Sequence, residues 1–411
     1  MRIAQICPYD MGRPGGVQRH VLDTAAALHE LGHEVTIISP RVGEPGVAAP
    51  PAAQNGPRQL QIGRARPIRF GATAFEVSIV QGADRRRLDR LMKTSGFDIA
   101  HYHTVWTPLL PLQALARSRS ANVMTFHDTP PDTVGGHVSR MALRGVSRLL
   151  EPHVDGAISV SSAPMGHLCG GLAARAVILP PCTDLRRFAP PSAAPGPSPD
   201  GLLNILFVGR LEPRKGAIVL LRAFQRLKAE GLPARLTIAG GGEQEETLRR
   251  FVADNAVADV VFAGRFTDEE APDWYAGCDV FCAPSLYGES FGIVLAEAMT
   301  SGKPVVAAAN RGYRTVMTGS AARFLVPPGD VDALYLSLRD LLDNPALRRG
   351  MGEANRRQAA QYDCRVLAPR LVSVYEDAIV RRRRRAEARS SSGWGPAESF
   401  PAAPSPAWEA D

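Results

Sequence analysis

NILFVGRLEPRKGAIVLLRAF, residues 204–224, decides the fold of this chain. A short apolar run ends at Gly209 and Arg210, and a loop with Pro213 and Gly216 follows. Leu220, Leu221, Phe224 and Leu227 then recur at helical spacing, and RLTIAG comes next as a second strand. Strand, glycine loop, helix, strand is the opening βαβ unit of a doubly wound parallel sheet. The same order stands at the N-terminus. Residues 3–6 read as a strand, Gly15 and Gly16 mark the loop, and Val17, Val21, Ala25 and Leu28 fall on one helix face. Gly32 closes that helix before the strand EVTIIS. A chain that opens this unit twice carries two similar α/β domains.

The remainder continues the alternation. At 411 residues the chain is too long for one ordinary core. VVFAG, DVFCAP, KPVVAAA and RFLVP read as buried parallel strands separated by helical patterns. APPSAAPGPSPDG, 189–201, is a linker by its Pro, Ser and Gly content. RVGEPGVAAPPAAQNGP, after the first unit, is too long for an ordinary connection. The expected division is a Rossmann-like domain over 1–190, a linker over 191–201 and a second Rossmann-like domain over 202–364. The tail over 382–411, rich in Arg, Ser, Pro and Ala, has little to bury and reads as disordered. Two such domains face each other across a cleft at the C-terminal ends of their strands, which suits a two-substrate transfer.

Composition narrows the function classes. With 45% hydrophobic and 22% charged residues the chain is of the soluble globular type, and no apolar run is long enough to span a bilayer. MRIAQICPYD has one basic residue and a short apolar stretch, so no secretory signal is expected and the cytoplasm is the default location. The six cysteines are scattered without CxxC spacing and read as buried small hydrophobes. The net charge of +7 sits partly in the tail. No nucleic-acid motif accompanies it, so no nucleic-acid partner is expected; attraction to anionic lipid fits better.

The densest chemistry lies in PSLYGESFGIVLAEAMTSGKPVVA, 284–307. A strand ends near Pro284, and a helix is expected from Ser290 as N-cap to about Met299. Its N-terminus at Ser290, Phe291 and Gly292 offers free amides and a positive dipole end, a seat for a diphosphate. Glu289 stands just outside, placed to accept hydrogen bonds from sugar hydroxyls, and Glu297 lies two turns on, in reach of a second hydroxyl pair such as a ribose. In the opening stretch Arg210 ends a strand and Lys215 opens a helix, so two cations face a sheet edge where they neutralise a leaving diphosphate. PGGVQRH, 14–20, puts Gly15 and Gly16 where a tight turn or close backbone approach is possible, without the GxGxxG of a hydride-transferring site. All nine histidines precede residue 170. His101 and His103 flank one strand end and His127 follows another; their spacing fits no helix-face or finger pattern, so no metal is expected. In HVSRMALRGVSRLL, Arg140, Arg144 and Arg148 recur every four residues as a basic stripe, either a solvated face or a surface for an anionic membrane.

These motifs resemble those of the retaining GT-B glycosyltransferases of the family-four type. The likeness rests on the seven-residue spacing between Glu289 and Glu297 in GESFGIVLAEAM, on the GR…KG element, and on CPYDMGRPGGVQRHVLDTAAALHELGHEV; it covers roughly residues 1–380. Bacterial phosphatidylinositol α-mannosyltransferases are the most similar branch. The resemblance implies that Glu289 meets the donor sugar, Glu297 the nucleotide ribose, and Arg210 and Lys215 the donor diphosphate. It places Gly15 and Gly16 near the reaction centre, His127 on the donor hexose, and Tyr9 and Gln18 by the acceptor. It further implies metal-independent transfer of a hexose from a nucleotide-sugar substrate with no cofactor, mannose from GDP-mannose to a lipid or glycan being favoured. A helix at about 365–381 is expected to cross back to the first domain, and the protein to sit peripherally on the inner face of the plasma membrane. Two departures fall in acceptor-side or interdomain regions. HYHTVW carries Thr104 where the family has Glu, and PPCTD carries Cys182 and Thr183 where it reads NGVD, with Asp184 retained. A nucleotide-sugar epimerase and a non-catalytic sugar-binding or scaffold protein remain open on the same fold.

Overall fold

The computed structural model describes residues 1–13, 15–41, 56–70, 73–104, 109–129, 134–190 and 200–391. The first sheet holds β1 (Arg2–Ile6), β2 (Glu34–Arg41), β3 (Arg58–Phe70), β4 (Thr73–Ile79), β5 (Ile99–His103), β6 (Ala121–Phe126), β7 (Gly156–Ser159) and β8 (Ala176–Ile178). Their order is β4-β3-β2-β1-β5-β6-β7-β8, parallel except for the β3–β4 pair. The second sheet holds β9 (Leu203–Val208), β10 (Ala234–Ala239), β11 (Val260–Gly264), β12 (Val280–Ala283), β13 (Val305–Ala308) and β14 (Leu325–Val326). It runs β11-β10-β9-β12-β13-β14, parallel throughout. This is the doubly wound GT-B pair of Rossmann-like domains that the repeated βαβ unit implies. Each sheet reverses its winding beside its first strand, between β1 and β5 and between β9 and β12. Crossovers diverge at those points and leave a crevice at the strands' C-terminal ends.

Burial explains the strand sequences. β5, β6, β7, β12 and β13 are buried along their whole length; β12 and β13 therefore read as continuous apolar runs, while β5, β6 and β7 carry buried polar residues such as His101, Asn122 and Ser159 among apolar ones. The helix Gly16–Glu30 buries Val21, Ala25 and Leu28, and the helix Ala217–Ala229 buries Leu220, Leu221, Phe224 and Leu227. These are the spacings that identify both helices in the sequence.

The handover between domains comes earlier than residue 190. Leu185 and Phe188 already pack in the second core, where Phe188 meets Tyr275 edge-on at 5.4 Å. Residues 191–199 of the linker and 42–55 of the long loop lie outside the described residues. The C-terminal helix Cys364–Ser391 returns to the first domain and packs Leu367, Leu371 and Tyr375 among Ile3, Val21 and Val123. Its length corrects the disordered reading of 382–391. Arg385 pairs with Asp155 at 3.0 Å and donates to the Pro152 carbonyl, and Arg381 donates to the Asp155 carbonyl. An Arg-, Ala- and Glu-rich run also extends an existing helix without a new nucleus. The rest of that tail, 392–411, lies outside the described residues.

Candidate active site

Glu289 follows β12 in the crevice of the second domain. It accepts a hydrogen bond from Lys215 Nζ at 2.6 Å and another from Arg214 Nη1 at 3.2 Å. The three side chains are only 11–15% exposed. Burial alone would raise the Glu289 carboxyl, but Lys215 and Arg214 outweigh it and hold the group below its ordinary range, as an ionised acceptor. Burial, with some help from Arg214, lowers Lys215 against the pull of Glu289. Gly216 sets the register of this cluster. Its φ is +70°, and a Cβ there would lie 2.2 Å from the Pro284 carbonyl oxygen, so only glycine lets the Lys215 turn close on the Glu289 loop.

The sequence pattern pairs Arg210 with Lys215. In the structure Arg210 is 53% exposed and pairs with Glu212 at 2.6 Å, while Arg214 takes the place beside Glu289. Arg214 stands one residue before Lys215 in EPRKG, so its charge was visible and its direction was not.

The helix behind Glu289 spans Ile293–Thr300, and Gly292, not Ser290, is its N-cap. Gly292 has φ +106°, and a Cβ there would sit 2.6 Å from the Tyr313 ring. The chain therefore needs a left-handed glycine before the helix can start. Ser290 is left to bridge the cleft: its hydroxyl lies 2.9 Å from Thr129 Oγ1, and its carbonyl accepts from the Ser161 hydroxyl. Phe291 is buried in the second core, edge-on to Tyr362 at 5.2 Å, so its ring does not face the cleft. Glu297 accepts from the Tyr275 hydroxyl at 2.7 Å, and burial pushes its carboxyl up to about 7.

The first domain closes the other side. Gly15 is extended, not tightly turned; what it supplies is space, since a Cβ would meet Gln18 Oε1 at 2.4 Å. Gly16 lies against Ile293 at the head of the helix Ile293–Thr300, its Cβ position 3.7 Å from Ile293 Cδ1. Gln18 and Arg19 line a cavity of 280 Å³ with Met11, Phe266, Thr267 and Asp268, between the two domains. Arg19 crosses it to Asp268 at 3.4 Å. Tyr9 is half-buried against the first core, just past β1.

The histidines divide. His101 turns away from the cleft: Nδ1 lies 2.7 Å from the Tyr375 hydroxyl and Nε2 2.6 Å from Thr125 Oγ1. His127 is half-buried after β6, with Nε2 3.2 Å from His103 Nδ1. His20, from the first helix, completes a cluster with these two, each ring offering a nitrogen within 4.8 Å of the others. Local spacing spoke against a metal, but these rings come from three separate elements, where local spacing carries no information. Burial lowers His20 to about 4 and holds His103 and His127 well below the usual imidazole range, so all three are neutral near pH 7. Thr104, at the end of β5, has φ +50° and a buried hydroxyl without a hydrogen-bond partner. Such a conformation costs a β-branched residue about 1–3 kcal/mol.

On the outer surface, the helix Val134–Leu150 exposes Val138 (64%), Met141 (74%) and Leu149 (72%). Arg144 and Arg148 are exposed on an adjoining face, and Arg140 is half-buried.

Comparison with known proteins follows this division. The family described as Glycosyltransferase Family 4 matches residues 14–187, and that described as Glycosyl transferases group 1 matches residues 192–358. The phosphatidyl-myo-inositol mannosyltransferase of Mycolicibacterium smegmatis is 33% identical over 377 residues, covering 92% of this chain and 94% of that protein. The GDP-mannose-dependent alpha-(1-6)-phosphatidylinositol monomannoside mannosyltransferase of the same organism is 31% identical, over 84% of this chain and 91% of that one. Among solved structures, sucrose-phosphate synthase from Thermosynechococcus elongatus superposes with a TM-score of 0.74 at 21% identity, over 92% of this chain and 99% of that one.

Proposed function

Since the chain belongs to the glycosyltransferases that join a Family 4 domain to a group 1 domain, and is itself a GT-B glycosyltransferase, we propose that it transfers mannose from GDP-mannose to a lipid acceptor with retention of configuration. The carrying observation is the buried Glu289–Lys215–Arg214 cluster at the winding reversal of the second sheet. The full-length relatives named as mannosyltransferases acting on phosphatidylinositol and its mannoside support the sugar and the lipid class.

In this reading the donor diphosphate seats at the head of the helix Ile293–Thr300 and draws Lys215 and Arg214 partly off Glu289. Arg210, exposed at the mouth, swings in as a further cation. Glu289, already ionised, accepts from the hexose hydroxyls, and neutral His127 hydrogen-bonds the hexose from the first domain. Glu297 takes the ribose hydroxyls. Gln18, in the interdomain cavity, and Tyr9, half-buried just past β1, serve the acceptor side. The leaving diphosphate accepts the acceptor's proton as the new bond forms on the same face. The protein contributes orientation and fixed charge, and the transfer itself needs no metal or cofactor.

The acceptor is read as embedded in an anionic membrane, met by the exposed apolar and basic faces of the helix Val134–Leu150, Arg140, Arg144 and Arg148 among them. Among the described residues no helix is long and apolar enough to cross a membrane. Association is then peripheral, at the inner face where GDP-mannose is available.

The test is transfer from GDP-mannose to phosphatidylinositol vesicles, with and without EDTA. Glu289→Ala and Lys215→Ala should each lower the rate by about 10²–10³-fold, with folded proteins by circular dichroism. Near-normal rates in both variants would remove the site assignment.

A further inference from the structure

His20, His103 and His127 meet where the first helix, the end of β5 and the turn after β6 converge. Their ring centroids form a near-equilateral triangle, with sides of 5.3 Å, 5.3 Å and 5.5 Å. Three imidazoles on a tetrahedral dication, with metal–nitrogen bonds of about 2.0–2.1 Å, place their nitrogens about 3.4 Å apart and their centroids about 5 Å apart. The triangle already has that size, and each ring offers a nitrogen within 4.8 Å of the others.

Two further observations point to a ligand. His20 Nδ1 donates to the Cys182 carbonyl at 3.2 Å, which fixes the tautomer and leaves Nε2 as a lone pair. Metal-ligating histidines are oriented by that kind of second bond. His103 is fully buried, yet its Nε2 has no hydrogen-bond partner. The other cluster of potential ligands, Asp184, Asp363 and Cys364, is differently placed. Arg186 and Arg365 already hold its two carboxylates at 2.7 Å each.

We propose that His20, His103 and His127 bind one borderline transition-metal dication, Zn²⁺ by its chemistry, and that this ion blocks sugar transfer. Three neutral imidazole nitrogens suit Zn²⁺ better than Mg²⁺ or Ca²⁺, which take oxygen ligands. His127, the half-buried ring of the three, gives the ion its entry. The blocking effect rests on the assignment of His127 to the donor sugar, since one ring cannot ligate a metal and bond a hydroxyl through the same nitrogen. The site is thus a brake on a reaction that does not itself use metal.

The metal site is tested without any turnover. Metal-free full-length protein is titrated with Co²⁺, and the visible absorption of four- or five-coordinate cobalt is followed. One equivalent should bind, Zn²⁺ should displace it, and His127→Ala should lose the spectrum while His29→Ala, at an exposed helix end, keeps it. His127 is the ring of the three that is not fully buried, so its variant is the one to survive folding; circular dichroism and the thermal midpoint check this. No cobalt spectrum in the wild type, or an unchanged one in His127→Ala, overturns the site. In a second arm GDP-mannose should displace cobalt, and Zn²⁺ should inhibit transfer reversibly with EDTA. Cobalt bound at the triad with donor binding and transfer unimpaired keeps the site and overturns the donor role of His127.

Discussion

Glu297 is an acidic group of the candidate site whose carboxyl lies well above its ordinary range. Burial raises it to about 7, and the Tyr275 hydroxyl opposes the rise by donating to the carboxylate. An ionised carboxylate accepts ribose hydroxyls more strongly than a protonated one. Donor affinity should therefore increase as pH rises through about 7. Glu297→Gln should flatten that dependence, and Tyr275→Phe should move it to higher pH by removing the bond that favours the charge. The donor KM of the three proteins, measured from below to above neutrality, checks this; a flat wild-type profile would count against Glu297. The stability term has the opposite sign. Unfolded Glu297 ionises near 4.5, so the folded chain holds the extra proton between there and about 7, and this group's contribution is lost as pH rises through that window. At this scale the meeting of Glu289 with Lys215 was legible, because each is a charge at a fixed offset from a strand end or a helix. Arg214 and the His20 ring were not, because nothing local tells which way a side chain on a turn or a helix points in a two-domain cleft.

Elements were legible wherever burial is one-sided or complete, as in the helices Gly16–Glu30 and Ala217–Ala229 and the strands β12 and β13. Their ends were not. Ser290 carries the right side chain for an N-cap, but the approach of Tyr313 to the backbone forces a left-handed glycine two residues later. The same kind of constraint governs Gly216, whose position against Pro284 is a tertiary contact invisible in local sequence. Gly216→Ala should therefore destabilise the second domain by about 2–4 kcal/mol, adding left-handed strain to a backbone clash. It should also lower transfer by pushing Lys215 away from Glu289. Denaturant unfolding and the transfer rate check both effects. An unchanged midpoint with full activity would show that the Lys215 turn does not depend on this close approach. The C-terminal helix shows the opposite error. Its polar second half looked unable to fold, yet Arg381 and Arg385 bind carbonyls and Asp155 of the first domain.

At the scale of the whole molecule, the duplication of the fold followed from a βαβ unit that begins twice. How the halves meet did not, because Arg19 with Asp268 and Ser161 with Ser290 are pairs that no spacing rule connects. The outward-facing helix Val134–Leu150 is the remaining large-scale feature. Arg140, Arg144 and Arg148 declared a basic stripe in the sequence, but the exposure of Val138, Met141 and Leu149 beside it is a fact of packing. Fully burying a side chain of this type is favourable by about 1.5–3 kcal/mol, and each basic residue near an anionic surface adds about 1 kcal/mol. On the proposed membrane reading, three half-inserted apolar side chains and two exposed arginines would give reversible attachment, strong enough to bring the active site to a lipid acceptor and weak enough to release. Replacing Val138, Met141 and Leu149 together by Asp should abolish sedimentation with anionic vesicles and lower transfer to a vesicle-borne acceptor, leaving GDP-mannose binding unchanged. Arg144→Glu with Arg148→Glu should remove only the salt-sensitive part of the binding, because screening acts on exposed charge and not on apolar insertion. Equal sedimentation of the wild type and the triple Asp variant would show that this face is merely solvated, and that the acceptor reaches the cleft by another surface.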